Sequence, residues 1–308
     1  MNITAILCTH NRCQVLAVAL ESLAASTFAE PTEWEVLVVD NNSNDQTRQV
    51  VEDFIRRYPG RFRYLFERHP GKSYALNSGI REAHGDLLAF LDDDVTVEPL
   101  WLSHLTAPLR DSRWAGSAGR IVLQWPPAVP NWLAVDGPYA RHGFPGFDQG
   151  PQPKELTGPA FGANMAFRKS MFQKYGGFRT DLGPSTDEKI PTPGEDAELT
   201  RRILSAGEHI RYEPSAVVYH PVSEARIRKG PLLKWWFDQG RADARQFRIR
   251  PLRELVSVSA CSLRWVVAAK PHVRFYRKLI VWQKAGRLVE FYRQWIAGDQ
   301  LRRSAGIP

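Results

Sequence analysis

The chain of 308 residues is long enough for one large α/β domain with an appendage. Hydrophobic residues make up 43% of it and charged residues 24%, which argues for a globular protein. We find no signal-peptide pattern and no apolar run of the roughly 18–20 residues that a membrane-spanning helix needs. The three cysteines match no metal-site spacing, so we expect reduced thiols in a cytoplasmic protein rather than a disulfide framework.

The net charge of +8 is unevenly distributed along the chain. Residues 1–221 contain 22 Lys and Arg against 27 Asp and Glu, a net charge of −5, whereas residues 222–308 contain 19 against 6, a net charge of +13. We therefore expect the C-terminal region to meet an anionic partner, namely lipid head groups or a lipid-phosphate acceptor. Nucleic acid is not expected, because no nucleic-acid recognition motif accompanies the basic residues.

The N-terminal half alternates apolar runs with helical patterns. We predict strands over residues 3–8, 34–40, 61–67 and 86–94, and helices over 15–25, up to about 58 and over 74–83. This alternation indicates an α/β fold with a doubly wound, mostly parallel sheet. Ligands bind at the carboxyl ends of strands in such sheets, so the polar turns at 9–12, 40–45 and 92–94 are expected to form one site.

The second half is less regular. Residues 124–160 are rich in proline, glycine and aromatic residues, which predicts loops and turns that form either an acceptor-side lid or a surface excursion. Ordered patterning resumes over 161–220. From about residue 222 the chain is basic, aromatic and helical in period, with tryptophans at 235, 236, 265, 282 and 295.

Three consecutive carboxylates, Asp92, Asp93 and Asp94, directly follow the apolar segment LLAFL. Their mutual repulsion beside a hydrophobic strand would be costly unless a cation neutralises them. Mg²⁺ or Mn²⁺ suits this position, because such ions combine one or two carboxylates with water and substrate phosphate oxygens. The alternative is a solvated acidic turn that caps the next helix.

Two further turns carry polar side chains at predicted strand ends. Asp40 closes the strand at 34–40 and precedes Asn42; these groups could bind a nucleotide base or ribose, or Asp40 could form an Asx turn. The turn Thr9–Arg12 could cap the following helix, or Arg12 could bind a phosphate at that helix N-terminus.

Four more side chains are candidates. Lys72 lies in HPGKS, which lacks the spacing of a phosphate-binding P-loop, so it is either a phosphate or base contact or a solvated loop lysine. Glu195 and Asp196 lie where a Pro/Gly loop enters a helix, and they either stabilise the helix start or provide a general base. His220 ends a short apolar strand and is either a packing residue or a metal ligand.

These segments, in this order, resemble the inverting family-2 glycosyltransferases with a GT-A fold. The resemblance rests on ILCTHNR, WEVLVVDNNSNDQT, GKSYALNSGI, LLAFLDDDV, FGANMAFRK, GEDAELTRRI and YEPSAVVYH. It implies a GT-A catalytic domain over residues 1–221, with a nucleotide-binding half at about 1–95 and an acceptor-binding half at about 96–221. A basic, aromatic, helical C-terminal region would follow over 222–308.

The resemblance also assigns roles to residues. Asp94, Asp92 and His220 would hold the metal, with Asp92 also toward the ribose. Asp196 would be the catalytic base, supported by Glu195. The donor pocket would be lined by Thr9, Asn11, Arg12, Asp40, Asn42, Lys72, Asn77, Asp92, Asp93, Gly162 and Asn164.

The implied reaction transfers a sugar, with inversion, from a nucleotide-diphosphate sugar to an acceptor hydroxyl in bacterial-type surface glycan or glycolipid synthesis. A UDP-sugar is the favoured donor, Mn²⁺ or Mg²⁺ the cofactor, and a glycan or lipid-linked molecule the acceptor. The sequence lacks the Q/R-rich RW motif and the multiple membrane spans of processive synthases, which indicates single-sugar addition. The segments 231–246 and 255–295 would lie on the inner face of an anionic membrane, or else pack on the catalytic domain.

Two other functions compete with this interpretation. A sugar-nucleotide pyrophosphorylase has a similar fold class, but the turn THNRCQVL lacks the glycine-rich loop of that enzyme class. A non-catalytic protein could bind anions or nucleic acid through the basic C-terminal region. Release of pyrophosphate would indicate the first, and a salt-sensitive gel shift without sugar-nucleotide binding would indicate the second.

Overall fold

A computed structural model describes most of the chain as two compact units. The described residues are 2–28, 30–140, 143–187, 189–190 and 193–304, with side chains up to residue 297. The first unit takes its residues from 1–124, 145–190 and 195–221, and the second from 125–144, 191–194 and 222–308. Residues 305–308 of the predicted C-terminal region lie outside the described residues, and the predicted functional halves of the catalytic domain stay a prediction.

The first unit is built around one large sheet. Its strands are β1 (Ile3–Thr9), β2 (Trp34–Asp40), β3 (Phe62–Phe66), β4 (Leu87–Asp92), β5 (Thr96–Val97), β6 (Trp114–Gln124), β7 (Lys154–Glu155), β8 (Met165–Arg168) and β9 (His209–Pro221). Their order is β3-β2-β1-β4-β8-β6-β9-β5, and β7 pairs with β9.

The four strands β3, β2, β1 and β4 are parallel, which confirms the predicted α/β class with a mostly parallel central sheet. The interiors of β1, β2 and β4 are buried, as expected for parallel strands covered on both faces. In this register Thr9 lies opposite Asp40, and Cys8 lies opposite Asp92. The polar turns after β1, β2 and β4 are therefore neighbours at one edge of the sheet.

Two features of the sheet were not expected from the sequence. Strand β8 runs antiparallel between β4 and β6, although β6 and β9 are parallel to each other. The predicted strand at 86–94 was too long, because β4 ends at Asp92 and the chain then turns. Asp93 and Asp94 consequently belong to the turn and can point toward neighbouring loops.

Helices cover the sheet of the first unit. They are α1 (Cys13–Ala24), α2 (Thr47–Arg57), α3 (Lys72–Glu82), α4 (Trp101–Thr106), α5 (Lys169–Tyr175) and α6 (Glu195–Ser205). The apolar side of α2 is typical: Val51 and Phe54 are buried, while the opposite side is charged. The core contains large, fully buried side chains such as Trp101, Phe90 and Tyr212.

The second unit contains the long helices α7 (Lys229–Gln246), α8 (Pro251–Val266) and α9 (Pro271–Ser304). Helices α7 and α9 touch through glycines. A Cβ added at Gly240 would lie 1.8 Å from the carbonyl oxygen of Gln283, and one added at Gly286 would lie 2.0 Å from that of Phe237. Over the part of the chain that is described, no helix is both long enough and apolar enough to cross a membrane.

Buried ion pairs accompany this contact between α7 and α9. Arg241 and Arg245 reach Glu290 at 3.0 and 2.7 Å, and Arg287 reaches Asp243 at 2.7 Å. Losing one partner of such a pair leaves a buried charge without compensation, so these pairs fix the register of the two helices. The predicted helical C-terminal extension is confirmed.

Candidate active site

The turns that follow β1 and β2 are tied together by side chains. The Asn11 N–H donates to Ser43 Oγ at 2.9 Å, and the Asn44 N–H donates to Asn11 Oδ1 at 2.8 Å. Asp45 accepts the Cys13 N–H at 3.0 Å and thereby caps α1 from a different turn. The predicted cap within Thr9–Arg12 is therefore replaced by Asp45, a residue that the sequence analysis missed.

Asp40 is buried at the end of β2. Its Oδ1 accepts the Ser43 N–H at 2.9 Å, and its Oδ2 accepts the Tyr64 hydroxyl at 2.8 Å. The local turn proposed as the alternative for Asp40 is thus present. Asn42, in the same turn, is exposed and has a positive φ of 63°, which asparagine tolerates better than most residues. Binding of a base or ribose by these two residues stays a prediction.

Asn41 fixes the loop that leads into α3. Its Oδ1 accepts the Gly71 N–H at 2.8 Å, and its Nδ2 donates to the carbonyl oxygen of His69 at 2.7 Å. The Lys72 N–H donates to the carbonyl oxygen of Pro184 at 2.8 Å, which orients the first turn of the helix. The part played by Asn41 could not be predicted from the sequence, because its partners lie about thirty residues further along the chain.

The acidic triplet is held by groups of the protein itself. Arg12 reaches Asp93 Oδ1 at 2.6 Å and Asp94 Oδ2 at 2.7 Å, and the Thr9 hydroxyl donates to Asp93 Oδ2 at 2.7 Å. Burial raises the pKa of the Asp93 carboxyl to about 6, although Arg12 and Thr9 act in the opposite direction. The repulsion within the triplet therefore does not require a metal by itself, contrary to the argument from sequence.

A group that could nevertheless hold a metal ion is formed by Asp92, Asp94 and His220. One ligand atom from each lies within 4.8 Å of the others. His220 Nε2 lies 3.5 Å from Asp94 Oδ1, and Nδ1 lies 3.1 Å from the carbonyl oxygen of Pro221. Because that carbonyl can only accept, it favours the proton on Nδ1 and leaves Nε2 directed toward Asp94. Two carboxylates and an imidazole are suitable ligands for Mn²⁺, so these residues fit the predicted metal.

Lys72 links this acidic group to the start of α6. Its Nζ lies 2.5 Å from Asp92 Oδ1 and 3.7 Å from Glu195 Oε1. Burial disfavours the charged form, but the carboxylates of Asp92, Glu195 and Asp196 outweigh this effect and raise the pKa of Lys72. The ammonium is therefore positively charged, and the interpretation of Lys72 as a solvated loop lysine is wrong.

The two acids at the start of α6 differ in their surroundings. Burial, together with the charge of Asp196, raises the pKa of Glu195 to about 7, with Lys72 acting against the rise. Asp196 is only partly buried; its Oδ2 accepts the Gly162 N–H at 2.8 Å and its Oδ1 accepts the Ala197 N–H at 2.7 Å. A Cβ added at Gly162 would lie 3.8 Å from Lys72 Nζ, so Gly162 borders both Asp196 and Lys72.

The side chain of Asn164 is fully buried and bonded to other parts of the fold. Its Oδ1 accepts the Trp101 indole N–H at 2.8 Å, and its Nδ2 donates to the carbonyl oxygens of Arg120 and Ala216 at 2.9 and 2.8 Å. This geometry connects α4, β6 and β9 behind the site. A contact between Asn164 and the donor sugar stays a prediction.

Asn77 also bonds another part of the fold, namely the backbone of Phe178. Its Nδ2 donates to the carbonyl oxygen of Phe178, and its Oδ1 accepts the Phe178 N–H, both at 2.8 Å. Ser73, one turn earlier on α3, donates to the carbonyl oxygen of Leu182 at 2.8 Å. Together they hold the loop after α5 against α3, while the predicted contact of Asn77 with the donor stays a prediction.

The mostly parallel sheet and the acidic cluster at the carboxyl ends of its strands agree with the GT-A fold expected from the sequence motifs. Residues 4–176 match the family described as glycosyl transferase family 2. The chain is 30% identical over 239 residues to the succinoglycan biosynthesis protein ExoM of Rhizobium meliloti, with 77% of this chain and 72% of that protein covered. It is 28% identical over 249 residues to a glucosyl-dolichyl phosphate glucuronosyltransferase of Haloferax volcanii, with 78% and 75% covered.

The fold is similar to that of the mannosyltransferase PcManGT from Pyrobaculum calidifontis, solved in complex with GDP-Man and Mn²⁺. The TM-score is 0.57 at 17% identity, and the match covers 97% of this chain and 80% of that one. The chain thus belongs to glycosyl transferase family 2, and it is a glycosyltransferase with a GT-A fold. The family and fold expected from the sequence motifs are confirmed.

Proposed function

We propose that this protein transfers a sugar from a nucleotide-diphosphate sugar to an acceptor hydroxyl, in a single metal-dependent step that inverts the anomeric centre. The observation that supports this proposal most strongly is the position of Lys72. Its ammonium lies between Asp92, in the candidate metal group, and Glu195, next to the candidate base Asp196. The candidate metal group, which would bind the donor diphosphate, and the candidate base, which would bind the acceptor, are therefore both close to the ammonium of Lys72.

On the donor side, Asp92, Asp94 and His220 would hold Mn²⁺ or Mg²⁺. When bound, such an ion supplies positive charge that stabilises the nucleoside diphosphate leaving group. Arg12 and Lys72 are already directed at the same carboxylates and provide two further cations near the leaving group. Arg12 precedes the first residue of α1, a position that also favours anions through the helix dipole.

On the acceptor side, Asp196 would accept the proton of the acceptor hydroxyl as the oxygen attacks the anomeric carbon. The two backbone N–H groups of Gly162 and Ala197 fix the orientation of its carboxylate. Glu195 and Lys72 lie beside it and orient the start of α6. No covalent intermediate is needed, because displacement from the opposite face inverts the centre directly.

The relatives support a proposal for the class of acceptor. Of the two quoted above, one acts in succinoglycan biosynthesis and the other, by its name, on glucosyl-dolichyl phosphate. We propose for this chain an acceptor in surface glycan or glycolipid synthesis, carried on a lipid or close to a membrane. The net charge of +13 over residues 222–308 supports contact with an anionic membrane, on its cytoplasmic face.

The experiment that tests this function is a donor screen followed by product analysis. Thermal shift with Mn²⁺ and UDP, GDP or dTDP identifies the nucleotide, after which the matching sugar donors are assayed for transfer to membrane-extracted acceptors. We expect release of a nucleoside diphosphate and a product sugar whose anomeric configuration, measured by NMR, is inverted relative to the donor. Pyrophosphate release would instead indicate a pyrophosphorylase, and nucleic-acid binding without donor binding would indicate a non-catalytic protein.

A further inference from the structure

Helix α8 has one side packed on α9 and the other side open to solvent. On the packed side Glu254 reaches Lys284 and Arg287 of α9, both at 3.3 Å. Trp265 packs on Trp282 of α9 with ring centroids 6.1 Å apart. None of the residues of α8 is buried, so the helix is held by one side only.

The open side of α8 is apolar. Four aliphatic side chains on it, and a fifth directly after the helix end, are between 62% and 78% exposed: Leu252, Val256, Leu263, Val266 and Val267. Their spacings of four, seven, three and one residues place them along one stripe, roughly opposite Glu254 and Trp265. Ser259 interrupts this stripe between Val256 and Leu263, and its hydroxyl donates to the carbonyl oxygen of Leu255 at 3.2 Å. A mostly aliphatic stripe of this kind is costly in water and marks a surface that is covered by a partner.

The charges beside this stripe define the partner. Arg253 and Arg264 are exposed on one flank of the helix, Arg248 and Arg250 precede it and Lys270 follows it. Glu254, the single acid in α8, is turned toward α9. The charged side chains that border the open side of α8 are therefore all cations, which matches the boundary between anionic head groups and acyl chains.

We infer that α8 is the element that inserts into the membrane, with the stripe from Leu252 to Val267 facing the acyl chains. This inference rests on the membrane contact proposed above and names the side chains that make it. It differs from the expectation that 231–246 would share this role, because Leu232 and Trp236 of α7 are buried. Helix α9 would act as the support from which α8 is presented.

The test is flotation of the full-length protein with two kinds of vesicle. One contains phosphatidylcholine alone, and the other also contains about one third phosphatidylglycerol. The variant carries Val256→Asp and Leu263→Asp. The matched control carries the same number of new charges on α1, as Val15→Asp and Val18→Asp, since Val15 and Val18 are 38% and 59% exposed. We expect salt-sensitive binding of wild type and control to the anionic vesicles, and a loss of about tenfold or more in the variant. Unchanged unfolding temperatures and nucleotide-induced thermal shifts would establish that the variant is folded and binds its donor.

The outcomes separate this inference from the proposed function. If the wild type binds anionic vesicles and the Asp variant binds them equally well, the role of α8 is wrong while membrane contact stands. If the wild type binds neither type of vesicle at low salt, both the membrane contact and the role of α8 in it are wrong. Neither result would alter the assignment of the catalytic residues, which the donor assay tests separately.

Discussion

Arg12 and His220 lie on two sides of the same carboxylate. Arg12 reaches Asp94 Oδ2 at 2.7 Å, while His220 Nε2 lies 3.5 Å from Asp94 Oδ1. The Arg12 side chain is 43% exposed and that of Asp94 only 10%, so the arginine is the partner that is able to move. Arg12 therefore holds the carboxylate that we propose as a metal ligand. The guanidinium and the metal ion compete for Asp94.

The change Arg12→Gln tests this competition. Removing the guanidinium takes away a positive charge from the metal group, so Mn²⁺ should bind the donor-free variant about 1.5–5-fold more tightly, as expected for a partly exposed ion pair. Nucleoside diphosphate should bind more weakly, because a cation near the leaving group is lost. Mn²⁺ binding is followed by electron paramagnetic resonance. Arg48→Gln is the control, because it removes an arginine from an exposed ion pair with Glu52. Weaker Mn²⁺ binding by Arg12→Gln would contradict the competition.

The change Asp196→Asn tests the base. The amide keeps the shape of the side chain but cannot accept a proton, so turnover should fall by roughly 10²–10⁴-fold. Donor binding, measured by calorimetry, should persist. Glu198→Gln on the same helix is the control, since Glu198 pairs with Arg202 rather than with Lys72. If Asp196→Asn lost donor binding together with turnover, Asp196 would be a residue of the donor pocket and not the base.

The raised pKa of Glu195 makes a prediction about stability against pH. Its folded-state pKa of about 7 lies above the ordinary value of 4.5, so the folded protein holds this proton more tightly than the unfolded chain does. The contribution to stability is therefore present below pH 4.5 and is lost as the pH rises through 7. Glu195→Gln has no proton to lose at this position. Its free energy of unfolding should therefore rise by on the order of 1–3 kcal/mol relative to that of the wild type between pH 5 and pH 8. Urea unfolding at both pH values, without metal, measures it, and a pH-independent difference would refute it.

Much of the first unit could be predicted from the sequence, because its information is local. The runs that became β1, β2 and β4 are apolar and end in polar residues, and the intervening helices have a clear period. That pattern also predicted that Asp40 and Asp92 would lie at one edge of the sheet, which the register of β1 with β2 and β4 confirms.

Contacts between residues that are far apart in the chain could not be predicted from the sequence. The cap of α1 by Asp45 and the bonds from Asn164 to Trp101, Arg120 and Ala216 join residues 32 to 63 positions apart. Hydrophobic periodicity carries no information on such pairs. A local signal did exist for Asp45, since aspartate often accepts the backbone N–H two residues on, and Asp45 accepts the Thr47 N–H at 3.0 Å.

The close contact of α7 and α9 leads to a prediction on the second unit. Gly240→Ala would place a methyl group 1.8 Å from the carbonyl oxygen of Gln283, so the helices would have to separate. We expect a loss of about 1–3 kcal/mol in the free energy of unfolding. Gly230→Ala, near the start of α7 with open space around it, should instead be neutral or stabilise by up to about 1 kcal/mol. Equal effects of the two substitutions in thermal or urea unfolding would be incompatible with this packing.

Metal dependence through Asp94 is the central claim, and its most direct test is the rate of sugar transfer as a function of Mn²⁺ concentration. The comparison is between wild type, Asp94→Asn and Asp86→Asn, the last an exposed aspartate just before the opposite end of β4. We predict that Asp94→Asn lowers the rate by more than about 100-fold at saturating Mn²⁺, because a ligand to the ion is lost. Asp86→Asn should follow the wild-type curve. A near-normal rate for folded Asp94→Asn at saturating Mn²⁺ would contradict the assignment of the metal group.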